Sequence, residues 1–149
     1  MLKSFDTLIT VAQNKADSAA IKVGQLTARR GASEQKRAVL ENYRDEYRAR
    51  LEAAVLRGAP VSEARNFRAF LEKLDEAVRQ QESEVEFWRA QIETANGQWQ
   101  QEKRSLNSFN TIAARREAVV SRTYARREQK QQDEFAARAA GAQRFAFGE

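Results

Sequence analysis

Apolar residues recur at alternating intervals of three and four from the start of the chain. Leu2, Phe5, Ile9, Ala12, Ala16, Ala19, Val23 and Leu26 form one unbroken set. That spacing is the heptad period of a helix that buries one narrow stripe against a partner. The small middle, Ala12, Ala16 and Ala19, lets a partner helix come close. The stripe then meets Arg30, Ser33 and Arg37 around Gly31, and apolar positions resume at Leu40, Tyr43, Tyr47 and Leu51 in a shifted frame. A bend or stutter is expected near Arg30-Gly31-Ala32.

A second stripe is longer. Phe67, Leu71, Leu74, Val78, Gln81, Val85, Trp88, Ile92, Ala95, Trp99, Glu102, Leu106, Phe109, Ala113, Arg116 and Val120 keep the same alternation. Only Gln81, Glu102 and Arg116 are polar, so a coiled coil is the favoured reading. Gly97 lies inside the pattern and weakens the helix by about 1 kcal/mol relative to Ala without ending it. Between the two stripes, Arg57-Gly58-Ala59-Pro60-Val61-Ser62 holds the one proline of the sequence. Gly58 suits a left-handed helix end, Pro60 blocks continuation, Ser62 suits an N-cap and Glu63 a first turn.

The pattern therefore predicts an all-α fold: a long antiparallel two-helix coiled coil, a helical hairpin whose second helix is the longer. We expect one coiled-coil domain over 1–149. Its parts are a helix over about 2–56, a turn at 57–62, a helix over about 63–140 and a frayed tail at 141–149. At the standard rise the helices reach roughly 80 Å and 115 Å. Paired outward from the turn, the first helix runs out opposite Arg115, which leaves Arg116 to Ala140 overhanging. Phe145, Ala146 and Phe147 in the tail have no assigned role.

Composition removes most chemistry. The sequence has no His and no Cys, which excludes a Ser-His triad, a thiolate nucleophile, an imidazole metal site and a disulfide frame. No glycine-rich phosphate loop is present, and Glu82, Glu84 and Glu86 read as solubility rather than as paired acids and bases. No catalytic residue, metal site or cofactor is expected, and the protein is not expected to be an enzyme. No signal peptide and no 18-residue apolar stretch is found, so the chain reads as cytoplasmic. The net charge of +5 allows an acidic partner. From Arg115 to Lys130, six basic residues stand against Glu117 and Glu128. That run is a solvated face or a docking surface for an acidic lumen or a phosphate backbone. Sequence-specific DNA reading is not expected, because a basic-region zipper needs a parallel dimer with the basic stretch ahead of the heptads.

Near the turn, apolar residues outnumber what one seam can hold. Leu40, Tyr43 and Tyr47 share a stripe, and Phe70, Leu74 and Ala77 share another at a similar height above the turn. They either pack on each other as core or widen into a face for a third partner.

The segments Asn42-Tyr43-Arg44-Asp45-Glu46-Tyr47-Arg48, Phe67 through Ala77 and Gln129 through Ala140, in this order around the turn, resemble the FliJ family of flagellar type III export proteins. The resemblance covers nearly the whole chain. It implies a stalk like the central shaft of rotary ATP synthases, bound within the hexameric export ATPase FliI and promoting ring assembly. It also implies contact with the linker of the export gate protein FlhA and with export chaperones, on the inner face of the cell membrane through these partners. By the same resemblance the gate-binding surface falls on Lys36, Leu40, Tyr43, Tyr47, Phe70, Leu74, Ala77 and Gln81. Lys36 and Gln81 stand where the family has a Gln and a His, and the family exposes the positions of Leu74 and Gln81, which the seam would bury. Ring contacts are expected at Arg122, Arg126, Arg127 and Asp133, from charge and position. The alternatives are the equivalent stalk of a virulence-type secretion system, a generic coiled-coil scaffold and a non-specific nucleic-acid binder.

Overall fold

A computed structural model describes residues 2–148, with side chains from Ser4 onward. It contains two helices, α1 (Leu2–Leu56) and α2 (Val61–Phe147), and no strand among the described residues. The fold is all-α, with the helices packed on each other and the second the longer. The chain divides into two compact units, Gln13–Lys103 and Met1–Ala12 with Arg104–Glu149.

The turn lies in the first of these units. Gly58 adopts φ 76°, a conformation that costs little without a Cβ. Its N–H donates to the Val55 carbonyl at 3.1 Å, and the Ala59 N–H donates to the Ala54 carbonyl at 3.0 Å. This pair of bonds is a Schellman motif, which satisfies carbonyls that the helix end leaves open. The Pro60 carbonyl then accepts from Glu63 N–H at 3.0 Å and from Ala64 N–H at 3.4 Å. Pro60 thus closes the first turn of α2 with its main chain, and Ser62 sits one turn position inside the helix rather than capping it. An Arg57–Glu63 ion pair of 3.0 Å spans the turn.

Within Gln13–Lys103 the second stripe is buried or half-buried at every expected position from Phe67 to Trp99. Val78 and Ala95 are the most enclosed. On α1 the expectation of a shifted frame is corrected. The helix runs without a break through Arg30-Gly31-Ala32. The original heptad frame continues through Arg30, Ser33, Arg37, Leu40, Arg44, Tyr47, Leu51 and Ala54, each of them buried or half-buried. Arginine makes this possible because its methylene stem covers apolar surface while the guanidinium reaches the edge. Arg30 and Arg37 point to Glu34 at 3.7 Å and Glu41 at 3.6 Å. Arg44 and Arg48 approach Asp75 of α2 at 3.9 and 3.8 Å. Tyr43, placed in the shifted frame by its pattern, is instead 51% exposed.

In the other unit, Phe5 meets the edge of the Phe109 ring, with centroids 6.2 Å apart. Ala12 and Leu106 are buried there, and Arg116 lies 5.0 Å over the Phe5 ring. From Ala114 through Gly148 every residue is exposed. The seam therefore stops at Ala113, and Arg116 and Val120, which the heptad pattern includes, lie outside it. The helix itself continues to Phe147, past the boundary at about 140 expected from the sequence. Leu2, the first residue of the expected seam, and Glu149 lie outside the described side chains.

Replacing Gly58 tests the turn. A Cβ there meets open space, so the whole penalty of Gly58→Ala is conformational. We expect a loss of about 1–2 kcal/mol, read as a lowered thermal midpoint with helicity retained below it.

Candidate protein-docking surface

The apolar excess near the turn resolves into a small aromatic group carried by both helices. Heptad spacing puts Tyr47 at the edge of the α1 seam, and Phe67 and Phe70 are one helical turn apart on α2. The Tyr47 ring lies 4.5 Å from that of Phe70, tilted by 45°, and 6.1 Å from that of Phe67. Arg50 sits 5.1 Å over the Tyr47 ring, a position favoured by the ring quadrupole. Tyr47, Glu63, Asn66, Phe67 and Phe70 line an open hollow of about 290 Å³. Phe70 is 41% exposed, so the ring pair remains open to solvent on one side.

The eight residues expected at the gate-binding surface divide between solvent and seam. Lys36, Tyr43 and Phe70 are exposed, and Leu40, Tyr47 and Ala77 are half-buried. Leu74 is 8% exposed and lies in the core. Gln81 is half-buried, and its Nε2 donates to the main-chain carbonyl of Ser33 at 3.2 Å. The structure thus brings Tyr47 and Phe70 together in an open group and places Leu74 and Gln81 between the helices. Phe67, Asn66 and Glu63 also line the hollow. Sequence reasoning assigned Phe67 wholly to the seam, because heptad position alone does not show that its ring edge reaches the surface.

Charge on this surface is organised by short-range pairs. Arg79 donates to Glu76 through Nε and Nη2 at 3.1 and 2.8 Å, and that hydrogen bond and charge push its guanidinium pKa up from the ordinary value. Phe87, beside Trp88 with ring centroids 5.0 Å apart, is an exposed aromatic that the heptad pattern did not single out.

In the unit that contains Arg104–Glu149, Arg122, Arg126, Arg127 and Asp133 are all exposed. Asp133 accepts from Gln129 Nε2 at 3.2 Å. Among the described residues the three arginines have no ion pair. Ile112, Arg115, Arg116, Val119 and Val120 line a separate shallow hollow of about 530 Å³. No cluster of three acidic side chains able to hold a metal occurs among the described residues, and no helix there is long and apolar enough to cross a membrane.

The model of the family described as Flagellar FliJ protein matches residues 1–145. The chain belongs to this FliJ family. It is 30% identical over 139 residues to a Flagellar FliJ protein of Salmonella typhi, covering 92% of this chain and 93% of that protein. It is 29% identical over 136 residues to a Flagellar FliJ protein of Escherichia coli strain K12, covering 90% and 91% of the two chains. The family match spans the turn and both helices up to residue 145.

Burial separates core from surface in a way that substitution reads directly. Tyr43→Ala with Phe70→Ala is expected to cost about 1 kcal/mol, mainly the lost ring contact with Tyr47. Leu74→Ala is expected to cost about 3 kcal/mol, as for a packed Leu that leaves a cavity. Urea unfolding followed by circular dichroism measures both; equal losses would contradict the assignment.

Proposed function

We propose that this chain is a non-enzymatic stalk component of the flagellar type III export apparatus. In this reading the exposed part of α2 beyond Ala113 enters the hexameric export ATPase and promotes its assembly and activity. The aromatic group near the turn contacts the linker of the export gate protein, and export chaperones use the same protein as an escort. Association with the inner face of the cell membrane is then peripheral and indirect, through these partners. The role is mechanical: a helix pair presents two separate docking surfaces and performs no bond chemistry.

The observation that carries the reading is the open ring pair of Tyr47 and Phe70, with Tyr43 exposed on the same helix as Tyr47. A ring contact at the rim adds only about 1 kcal/mol to the stability of a two-helix protein, whereas aromatic side chains at a partly exposed, rigid site are the usual anchors of protein contacts. The unpaired arginines at 122, 126 and 127, on the exposed stretch of α2, support the ring contact in the same way. Family membership favours the flagellar apparatus over a virulence-type system.

The ring contact is tested by ATPase turnover of the purified export ATPase with and without micromolar full-length chain. We expect stimulation, and we expect Arg122→Glu with Arg126→Glu and Arg127→Glu to abolish it while helicity is kept. Absence of stimulation by the unaltered chain would overturn the ring reading. The gate contact is tested by titrating the gate linker against the unaltered chain and the Tyr43→Ala, Phe70→Ala variant. At least a tenfold loss is expected, from two anchors of about 1 kcal/mol or more each.

A further inference from the structure

The two sides of the helix pair differ in chemistry. In the unit Gln13–Lys103, Arg48 reaches Asp75 at 3.8 Å. Each follows a seam residue, Tyr47 and Leu74, so positions that follow the seam on α1 and on α2 share one side. Over 34–48 and 75–89 that side carries Glu34, Glu41, Arg48, Asp75, Glu82 and Arg89. Glu34 and Glu41 stand 3.7 and 3.6 Å from Arg30 and Arg37, and Arg89 stands 3.2 Å from Glu86. This side is a row of charges, most of them answered by the protein itself.

Positions that precede the seam share the other side. There Phe70 meets Tyr47, and Arg29 lies 5.1 Å over the Trp88 ring. Away from the turn, the large apolar residues exposed in this unit are Ile21, Val39, Tyr43, Phe70 and Phe87. All but Ile21 immediately precede a seam residue. Phe87 is 53% exposed and lies about 25 Å along α2 from Phe70 at the standard rise. Basic groups follow the same side: Arg29 and Lys36 on α1, and Lys73 on α2. Over 29–43 and 70–87 the one acid that precedes a seam residue is Glu84. Lys36 and Lys73 have no ion pair among the described residues.

We propose that this side, from Phe70 to Phe87, is one continuous docking surface for an acidic amphipathic helix. The helix carries apolar anchors about 25 Å apart, one at the Tyr47–Phe70 rings and one at Phe87, and its carboxylates meet Arg29, Lys36 and Lys73. Helical spacing suits the surface because a partner helix with the same repeat keeps its apolar stripe on a straight pair of helices over several turns. Acidic margins suit it because the basic groups here lack the internal partners that the opposite side has. The proposal rests on the gate contact described above and adds the extent of that contact, with Val39 and Phe87, and the chemistry of the segment that makes it.

The full-length chain titrated with the gate linker tests this. Phe87→Ala is expected to weaken binding at least about fivefold, as for an interface anchor, and Phe87→Leu to restore most of the loss. Ile21→Ala, exposed but off this side, is expected to leave affinity unchanged. Lys36→Glu with Lys73→Glu is expected to weaken binding at least about tenfold, and the affinity of the unaltered chain to fall as salt is raised. Circular dichroism checks that each variant keeps its helicity. Loss with Phe70→Ala but none with Phe87→Ala would confine the contact to the turn end and overturn the proposal. Indifference to salt and to the charge reversal would overturn the acidic chemistry. If the linker does not bind the unaltered chain, the gate reading fails, and a designed helix of about 21 residues, with Leu on one face and Glu along its margins, becomes the probe. Binding of that helix that Phe87→Ala weakens upholds the docking surface without the gate; binding that is absent, or insensitive to Phe87→Ala, overturns it.

Discussion

A helix that packs on a single neighbour can bury only one stripe of its surface, and this limit governs the protein. About one residue in every three or four reaches the seam, and the rest of each helix faces water. The core is correspondingly thin: Val78, Ala54 and Ala95 are its most enclosed members, and among the described residues no large side chain is fully covered. Tyr43 and Phe70 lie outside the seam and are exposed, and Tyr47 sits at its edge.

The same limit explains what was legible in the sequence. The α2 stripe could be read position by position from Phe67 to Ala113 because nearly every seam residue is apolar. The turn was legible because Gly58 allows a left-handed helix end and Pro60 cannot continue a helix. The first turn of α2 was misread by two residues, since Ser62 suits a cap by composition while the Pro60 carbonyl does the capping. On α1 the reading failed between Arg30 and Arg44. Hydrophobicity marks arginine as a surface residue, but its stem is long enough to serve a seam position while the charge sits at the rim. Following the apolar letters alone shifted the frame by one position and drew Tyr43 into the core. Keeping the frame fixed and accepting arginine in it gives the observed pairing.

The candidate docking surface was legible in part for a related reason. Spacing identified the two stripes beside the turn, and family resemblance added Lys36 and Gln81. Neither shows which face of a stripe is covered. Tyr47 and Phe70 meet at the rim, with one side of the ring pair open. Leu74 and Gln81 lie between the helices, where Gln81 is held by the Ser33 carbonyl. From Ala114 through Phe147 every residue of α2 is exposed, with Arg116 reaching back over the Phe5 ring.

The account depends on the two helices of one chain pairing with each other around Gly58. The absence of cysteine from the sequence permits spin labels at Lys36→Cys and Glu82→Cys alone, both exposed and close to the Ser33–Gln81 bond. Pulsed dipolar spectroscopy on this pair is expected to give one narrow distance, on the order of 20 Å for labels on neighbouring packed helices, unchanged when labelled chain is diluted into unlabelled chain. A distance that weakens on dilution, or its absence, would mean that the helices pair between molecules or not at all, and would contradict the fold on which every other statement rests.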